Sequence, residues 1–196
     1  MKLEQQPRYQ KDANVKEHKI TPEYKSIDKI LSLIPKGQVL DIACAEGFLV
    51  WLAEKRGHNA YGIEIDEGRV NRGRKNLNIP SLLTAGDIFN NLSKIKDYNI
   101  FIVARFFHNI GYEKSLQLMD EINKKDDYII IVKYKPGLRK ETGAPREPLA
   151  TKKGIKSLLE QYNLKKKSFQ QQVIVAAKGR FAHVPDMLRK HLPEGA

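Results

Sequence analysis

The stretch "GQVLDIACAEGFLVWLAEKRGHNAYGIEID", residues 37–66, reads as a strand, a turn, a helix and a second strand. Val39, Leu40 and Ile42 give the first apolar run, and Phe48, Trp51 and Leu52 fall on one helical face that Gly57 brings to a stop. The turn between strand and helix holds Ala43, Cys44, Ala45 and Glu46 ahead of a single Gly47. Turns that hold a nucleotide against a sheet usually carry several glycines, because the backbone must come close to the ligand. The fold and the ligand both depend on how this glycine-poor turn is read.

Outward from this unit, short β-type runs alternate with helical patterns: "QVLDIA", "NAYGIEI", "SLLTA", "NIFIVA" and "YIIIVKY". Such alternation predicts a parallel sheet covered by helices, and the nearly continuous apolar runs predict strands buried on both faces. Tyr112, Leu116, Met119 and Ile122 recur at helical spacing and predict a helix with one buried stripe. After the fifth strand, "KPGLRKETGAPREPLA" has no periodicity and reads as a long loop, either a lid or a binding loop. "TKKGIKSLLEQYN" reads as a helix, and "LKKKSF" and "QVIVAAK" as two strands whose connection is too short for a crossover, hence antiparallel. The expected architecture is α/β: one Rossmann-like domain with a mostly parallel seven-stranded sheet, an antiparallel C-terminal strand and helices on both faces. Its core spans residues 38–178, with an N-terminal extension over 1–25 and a tail over 180–196, both polar and without a clear pattern.

A chain of 196 residues suits one domain. No apolar run approaches the length of a membrane span. The N-terminus lacks the apolar centre of a signal peptide and Cys44 is the only cysteine, which together favour a reducing, cytoplasmic setting. The net charge of +12 is uneven: residues 121–196 carry 17 Lys and Arg against 8 Asp and Glu, residues 1–120 carry 18 against 15. A basic C-terminal half can attract a polyanion or simply be a solvated face. The five histidines lack metal-ligand spacing, so no metal site is expected.

Glu64 stands 23 residues beyond Asp41, near the end of the second strand, where a carboxylate can accept hydrogen bonds from both hydroxyls of a ribose. Asp66 precedes "EGRVNRGRKN" and reads as its helix cap. Asp87 in "TAGDIF" is placed to meet a base edge or to cap a turn.

These residues resemble the class I S-adenosylmethionine-dependent methyltransferases. "VLDIACAEG" is similar to that family's first motif, "YGIEID" to its acidic second, "AGDIF" to its third and "NIFIVARFFHNI" to its fourth. Ala43 and Ala45 replace two customary glycines. S-adenosylmethionine has no phosphate, so alanine is tolerable there, whereas it counts against a pyrophosphate cradle. The resemblance implies S-adenosyl-L-methionine as cofactor. Asp41 and the backbone of Ala43, Cys44, Ala45 and Gly47 would hold its methionine part, Glu64 its ribose, and Asp87 the adenine region. Ile65 and Ile88 would flank the ring, and Ala104 would close the fourth strand beside the cofactor.

Arg105, His108 and Asn109 follow that strand, at the carboxyl edge where ligands of open α/β sheets bind. His108 can accept a proton from the acceptor or serve structurally. Lys133 ends the fifth strand and Lys25 precedes the first motif, at places where the small ribosomal RNA 2′-O-ribose methyltransferases look similar. The rest of that family's tetrad is missing, with Arg105 and Gln172 where acids would stand. With that tetrad broken, Lys25 and Lys133 read as surface or substrate-orienting residues against a ribose-methylating role, and the candidate catalytic residues are His108, Arg105 and Lys133. The acceptor is a small molecule or RNA, with no membrane partner and no indication of oligomeric state. The rival reading is a non-catalytic binding or partner subunit of the same fold.

Overall fold

The computed structural model describes residues 20, 22–134, 149, 151–169 and 172–192. The strands are β1 (Gln38–Ile42), β2 (Asn59–Glu64), β3 (Leu83–Ala85), β4 (Ile100–Ala104), β5 (Tyr128–Lys133), β6 (Lys165–Phe169) and β7 (Val173–Lys178). They form one seven-stranded sheet in the order β3-β2-β1-β4-β5-β7-β6. β1 to β5 pair in parallel, while β7 runs antiparallel to both β5 and β6. The expected fold class and the antiparallel last pair are both present. The long loop read over residues 135–150 lies outside the described residues, apart from Leu149.

The helices are α1 (Pro22–Leu33), α2 (Phe48–Lys55), α3 (Glu67–Leu77), α4 (Phe107–Asn123), α5 (Lys152–Glu160) and α6 (Val184–Arg189). Alternation along the strands divides the core in two. Val39, Ile100, Ile102, Ile129 and Ile131 face the side covered by α1, α2, α3 and α6. Leu40, Ile42, Phe101, Val103 and Ile130 face α4, α5 and the short 3₁₀ segments Ile88–Asn90 and Leu92–Asp97.

The packed core extends on both sides of residues 38–178. Ile27, Ile30, Leu31 and Ile34 of α1 and its exit are buried against the sheet, and Tyr24 meets Phe48 with ring centroids 5.1 Å apart. His58, buried just before β2, bonds the Leu31 carbonyl at 2.8 Å through Nε2, which must therefore carry the proton. Past β7, Phe181, Val184 and Leu188 join the same core. Both segments show apolar residues at helical spacing that their polar neighbours obscure.

The helix stripe is also shorter than its sequence pattern. Met119 and Ile122 are buried, but Tyr112 is exposed, and its hydroxyl accepts a hydrogen bond from the Gln161 amide. The physical reason is a break at Gly111, with φ 78° and ψ 174°, which separates the turn leaving β4 from the regular helix. That backbone region is open essentially to glycine alone. Gly111→Ala is expected to cost about 1–3 kcal/mol in a urea unfolding series even though a Cβ there would touch nothing within 4 Å. An unchanged midpoint would show that the break relaxes freely.

Candidate functional site

β1 ends against β2 and β4 with the pairs Ile42↔Ile63 and Ile42↔Val103. One residue further on, Glu64 and Ala104 therefore share a row, and Ala104 pairs with Lys133 on β5. This row lies on the α1–α2 side at the carboxyl edge of the parallel strands. It carries an acid at one end, a cation at the other and small residues, Ala43 and Ala104, between them.

At the acid end, Glu64 is buried and tied to the backbone twice. Oε2 accepts the Ala45 N–H at 2.9 Å and Oε1 accepts the Asp66 N–H at 3.1 Å. An ionised carboxylate offers about four lone-pair sites, so two remain for a diol. Two rows deeper on the same face, Asp41 is 1% exposed, and its Oδ1 has no hydrogen-bond partner among the described residues. Burial first and the Glu64 charge second push the Asp41 carboxyl well above the usual range. A buried acceptor without a donor implies a missing partner, and a ligand ammonium or a bound water fits it.

The turn itself is anchored from several directions. Cys44 N–H bonds the Ile63 carbonyl at 3.1 Å, Gly47 N–H bonds the Cys44 carbonyl at 2.8 Å, and Glu46 accepts from Arg72 of α3 at 2.7 Å. Three turn amides, those of Cys44, Ala45 and Gly47, are thus engaged within the protein, which leaves less of the turn backbone for a ligand than the sequence reading assigned. Ala43 and Ala45 adopt φ of 58° and 53° beside Gly47 at 78°. The alanines hold the left-handed geometry of the glycines they replace. Cys44 packs over Gly62, where a Cβ would stand 2.6 Å from Sγ. Burial, followed by the Asp41 and Glu64 charges, pushes its thiol up, so it stays protonated as a small buried side chain and not a nucleophile.

The flanking residues divide. Asp66 caps α3, accepting from Arg69 N–H at 3.0 Å, as its position predicts. Asp87 takes the capping role too, its Oδ1 accepting from Phe89 N–H at 2.9 Å. Ile65 is 71% exposed and able to cover a ring, whereas Ile88 is buried in the opposite core layer and offers little surface.

At the basic end, Lys133 is 3% exposed. Arg105 follows β4 with φ 59°, and its N–H bonds the Lys133 carbonyl at 2.7 Å. Burial first and the Arg105 charge second bring the Lys133 ammonium down to about 8. His108 is half-buried on the turn before Gly111, and Asn109 bonds the Arg105 carbonyl at 2.9 Å. Lys25 lies exposed on α1. On the edge strand β6, Lys166 and Lys167 pair with Glu160 and Asp186, in keeping with lysines that guard an edge. A separate cleft of about 660 Å³ opens at the opposite, amino edge of the sheet, among Lys96, Asn99, Asp126 and Arg180. No helix among the described residues is long and apolar enough to cross a membrane.

This sheet order, with a glycine-type turn after β1 and an acid ending β2, defines the class I methyltransferase fold. A methyltransferase from Aquifex aeolicus matches with a TM-score of 0.55 at 16% identity, over 84% of this chain and 95% of that one. Magnesium protoporphyrin IX methyltransferase from Synechocystis PCC 6803, solved with S-adenosylhomocysteine bound, matches at 0.59 and 15%, over 79% and 83%. The bifunctional kinase-methyltransferase WbdD matches at 0.56 and 16%, over 80% of this chain. The chain spans 37 to 56% of the length of the larger relatives matched. The family model described as methionine biosynthesis protein MetW matches residues 24–130, more than half of the sequence, and the chain belongs to that family. No curated protein matches it.

Two outcomes follow from the site's geometry. An alanine in the left-handed region costs about 1–2 kcal/mol relative to ordinary backbone, while a glycine loosens the unfolded chain by about 0.4–1 kcal/mol. Ala43→Gly and Ala45→Gly are thus each expected to stabilise by about 0.5–1 kcal/mol in chemical denaturation, and a loss of stability would show that the methyls contribute packing. Lys133 titrates lower folded than unfolded, so the unfolded chain binds more protons between pH about 8 and 10.5, and stability rises with pH across that window. The gain is about 3 kcal/mol at most and is read as the difference between wild type and Lys133→Met. A flat difference would place the ammonium in solvent.

Proposed function

We propose that the chain is an S-adenosylmethionine-dependent methyltransferase whose acceptor enters over the carboxyl ends of β4 and β5. The observation that carries this reading is the Glu64–Asp41 pair beneath a turn held in left-handed geometry. Two lone pairs of Glu64 remain for ribose hydroxyls, and the orphaned Asp41 Oδ1 faces the place of the methionine ammonium. When bound, the cofactor supplies a methyl group on a sulfonium, an already activated carbon.

The protein's own share is then positioning. Ala43 and Ala104 keep the floor of the row low, so that the acceptor can approach from the β4–β5 side. Arg105 and Lys133 orient it, and His108 takes its proton where the nucleophile is protonated. The family description, methionine biosynthesis, supports a small acceptor over a polymer.

Removing Glu64 altogether would strip the Ala45 and Asp66 amides of their acceptor, so Glu64→Gln is the cleaner change. It is expected to weaken S-adenosylhomocysteine binding by about 1–3 kcal/mol, the range for hydrogen bonds to a charged group, in titration calorimetry. Unaltered affinity would remove Glu64 from the ribose site. In the wild-type protein, S-adenosylmethionine at a hundredfold excess over Kd should stabilise the fold by about 2.7 kcal/mol. Stabilisation without turnover on any acceptor would favour a binding subunit, and no stabilisation would overturn the cofactor reading.

A further inference from the structure

His58 is a buried titratable group that the site does not use. It stands at the turn between α2 and β2, 3% exposed, and its Nε2 bonds the Leu31 carbonyl in the last turn of α1 at 2.8 Å, while Nδ1 is buried with no hydrogen-bond partner among the described residues. The neutral ring is thus satisfied on one side only, and a proton on Nδ1 would find no acceptor. Lys36, on the link after α1, donates to the same Leu31 carbonyl at 3.4 Å with its stem beside Gly57, and Glu54 of α2 accepts from the Ala60 N–H at 2.6 Å. Nearby, Asp28 of α1 and Arg56 pair with each other at 2.7 Å. Burial is the leading cause that holds the imidazole below its ordinary value of 6.5, with Lys36 adding to it and the Leu31 carbonyl and Glu54 opposing.

The helix that His58 meets is held at both ends. A short link joins α1 to the start of β1, so its last turn lies at the amino edge of the sheet beside His58, and its first turn lies toward the carboxyl edge, where Tyr24 meets Phe48, the residue after Gly47 of the turn. Between them Ile27, Ile30, Leu31 and Ile34 share a core with Ile100, Ile102, Ile129 and Ile131 of β4 and β5. We propose that His58 is a pH-sensitive latch for α1: the uncharged ring holds the helix on the sheet, and protonation releases it together with the wall it forms beside the cofactor turn. A charged imidazole regains water only if the last turn of α1 lifts away, and the same movement parts it from Lys36. Below 6.5 the opened state takes up a proton that the closed state still refuses, so a fall in pH favours opening. The consequence for the cofactor rests on the methyltransferase reading, whereas the latch itself does not.

The test is amide hydrogen exchange read by mass spectrometry on the full chain, from about pH 7.5 to about pH 5 and corrected for the intrinsic pH dependence of exchange. Protection of α1 is expected to fall by up to about tenfold per pH unit below 6.5, while β1 and β4 stay protected. His58→Gln keeps an amide N–H for the Leu31 carbonyl and takes up no proton, so its α1 should show no such loss. Constant protection of α1 in the wild type overturns the proposal, and so does an equal loss in His58→Gln. Loss from β1 and β4 in step with α1 is global unfolding and overturns it as well. NMR of the His58 ring in the wild type decides the matter even where the variant does not fold: titration at 6.5 or above in the folded protein overturns the latch. Affinity for S-adenosylhomocysteine, measured by calorimetry, should fall about threefold or more over the same pH range in the wild type and less in His58→Gln. An equal fall in both separates α1 from the site and overturns that part of the proposal. No binding at neutral pH overturns the cofactor reading and leaves the latch to be decided by hydrogen exchange.

Discussion

The carboxylate of Glu64 joins the two halves of the β1–α2–β2 unit: one oxygen holds the amide of Ala45 in the turn after β1, the other the amide of Asp66 at the start of α3. Much else is subordinate to that pair of hydrogen bonds. The turn must bring Ala45 down onto the end of β2, which requires left-handed backbone at Ala43, Ala45 and Gly47 in quick succession. It also requires Gly62 beneath it, because any side chain there would collide with Cys44 and Val50. A buried carboxylate is costly unless its oxygens find donors, and two backbone amides meet that demand without a neutralising cation. The result is an acidic end to the site, next to an Asp41 that burial first and the Glu64 charge second keep from ionising easily.

This arrangement explains how a glycine-poor turn keeps glycine geometry. Alanine carries the smallest side chain that still penalises left-handed backbone, and the penalty at two positions is of the order of the hydrogen bonds that Glu64, Ile63 and Arg72 provide to the turn and to Glu46. Tertiary bonding therefore overrides local preference. The turn is rigid because it is over-determined, and a rigid turn limits the entropy lost when a ligand binds.

Much of this was legible in the residues. Apolar runs gave the strands and the antiparallel end, Asp66 announced its cap, and the spacing of Asp41 and Glu64 pointed to the two buried acids that the fold brings to one sheet face. What escaped had physical reasons. Ile27, Ile30, Leu31 and Ile34 carry a helical period, but the charged residues interleaved in α1 hide it, and Phe181, Val184 and Leu188 are hidden likewise in the tail. Gly111 breaks a pattern that periodicity alone would run straight through, which is why Tyr112 falls off the buried face. Of the two readings of Asp87, the turn after β3 realises the cap, with the carboxylate on the Phe89 amide, and it sends Ile88 into the far core layer. The depth of Lys133 could not be read at all, since it depends on β7 pairing alongside β5, a contact with residues forty positions away.

The two ends of the row have opposite sign, and the separation follows from topology. Strand order sets β2 and β5 three spacings apart with β1 and β4 between, roughly 14 Å at the usual strand separation of about 4.8 Å, so Glu64 and Lys133 are too far apart to neutralise each other directly. Alanine at the intervening positions keeps that gap open where a larger side chain would bridge it. Under the proposed reading, the cationic methyl donor lies toward the acids, at the end of the row away from Lys133. The acid end thus favours the sulfonium and the basic end disfavours it, which orients the donor before any chemistry. The same burial that makes Lys133 costly to the fold confines that end of the row to groups small enough to enter it.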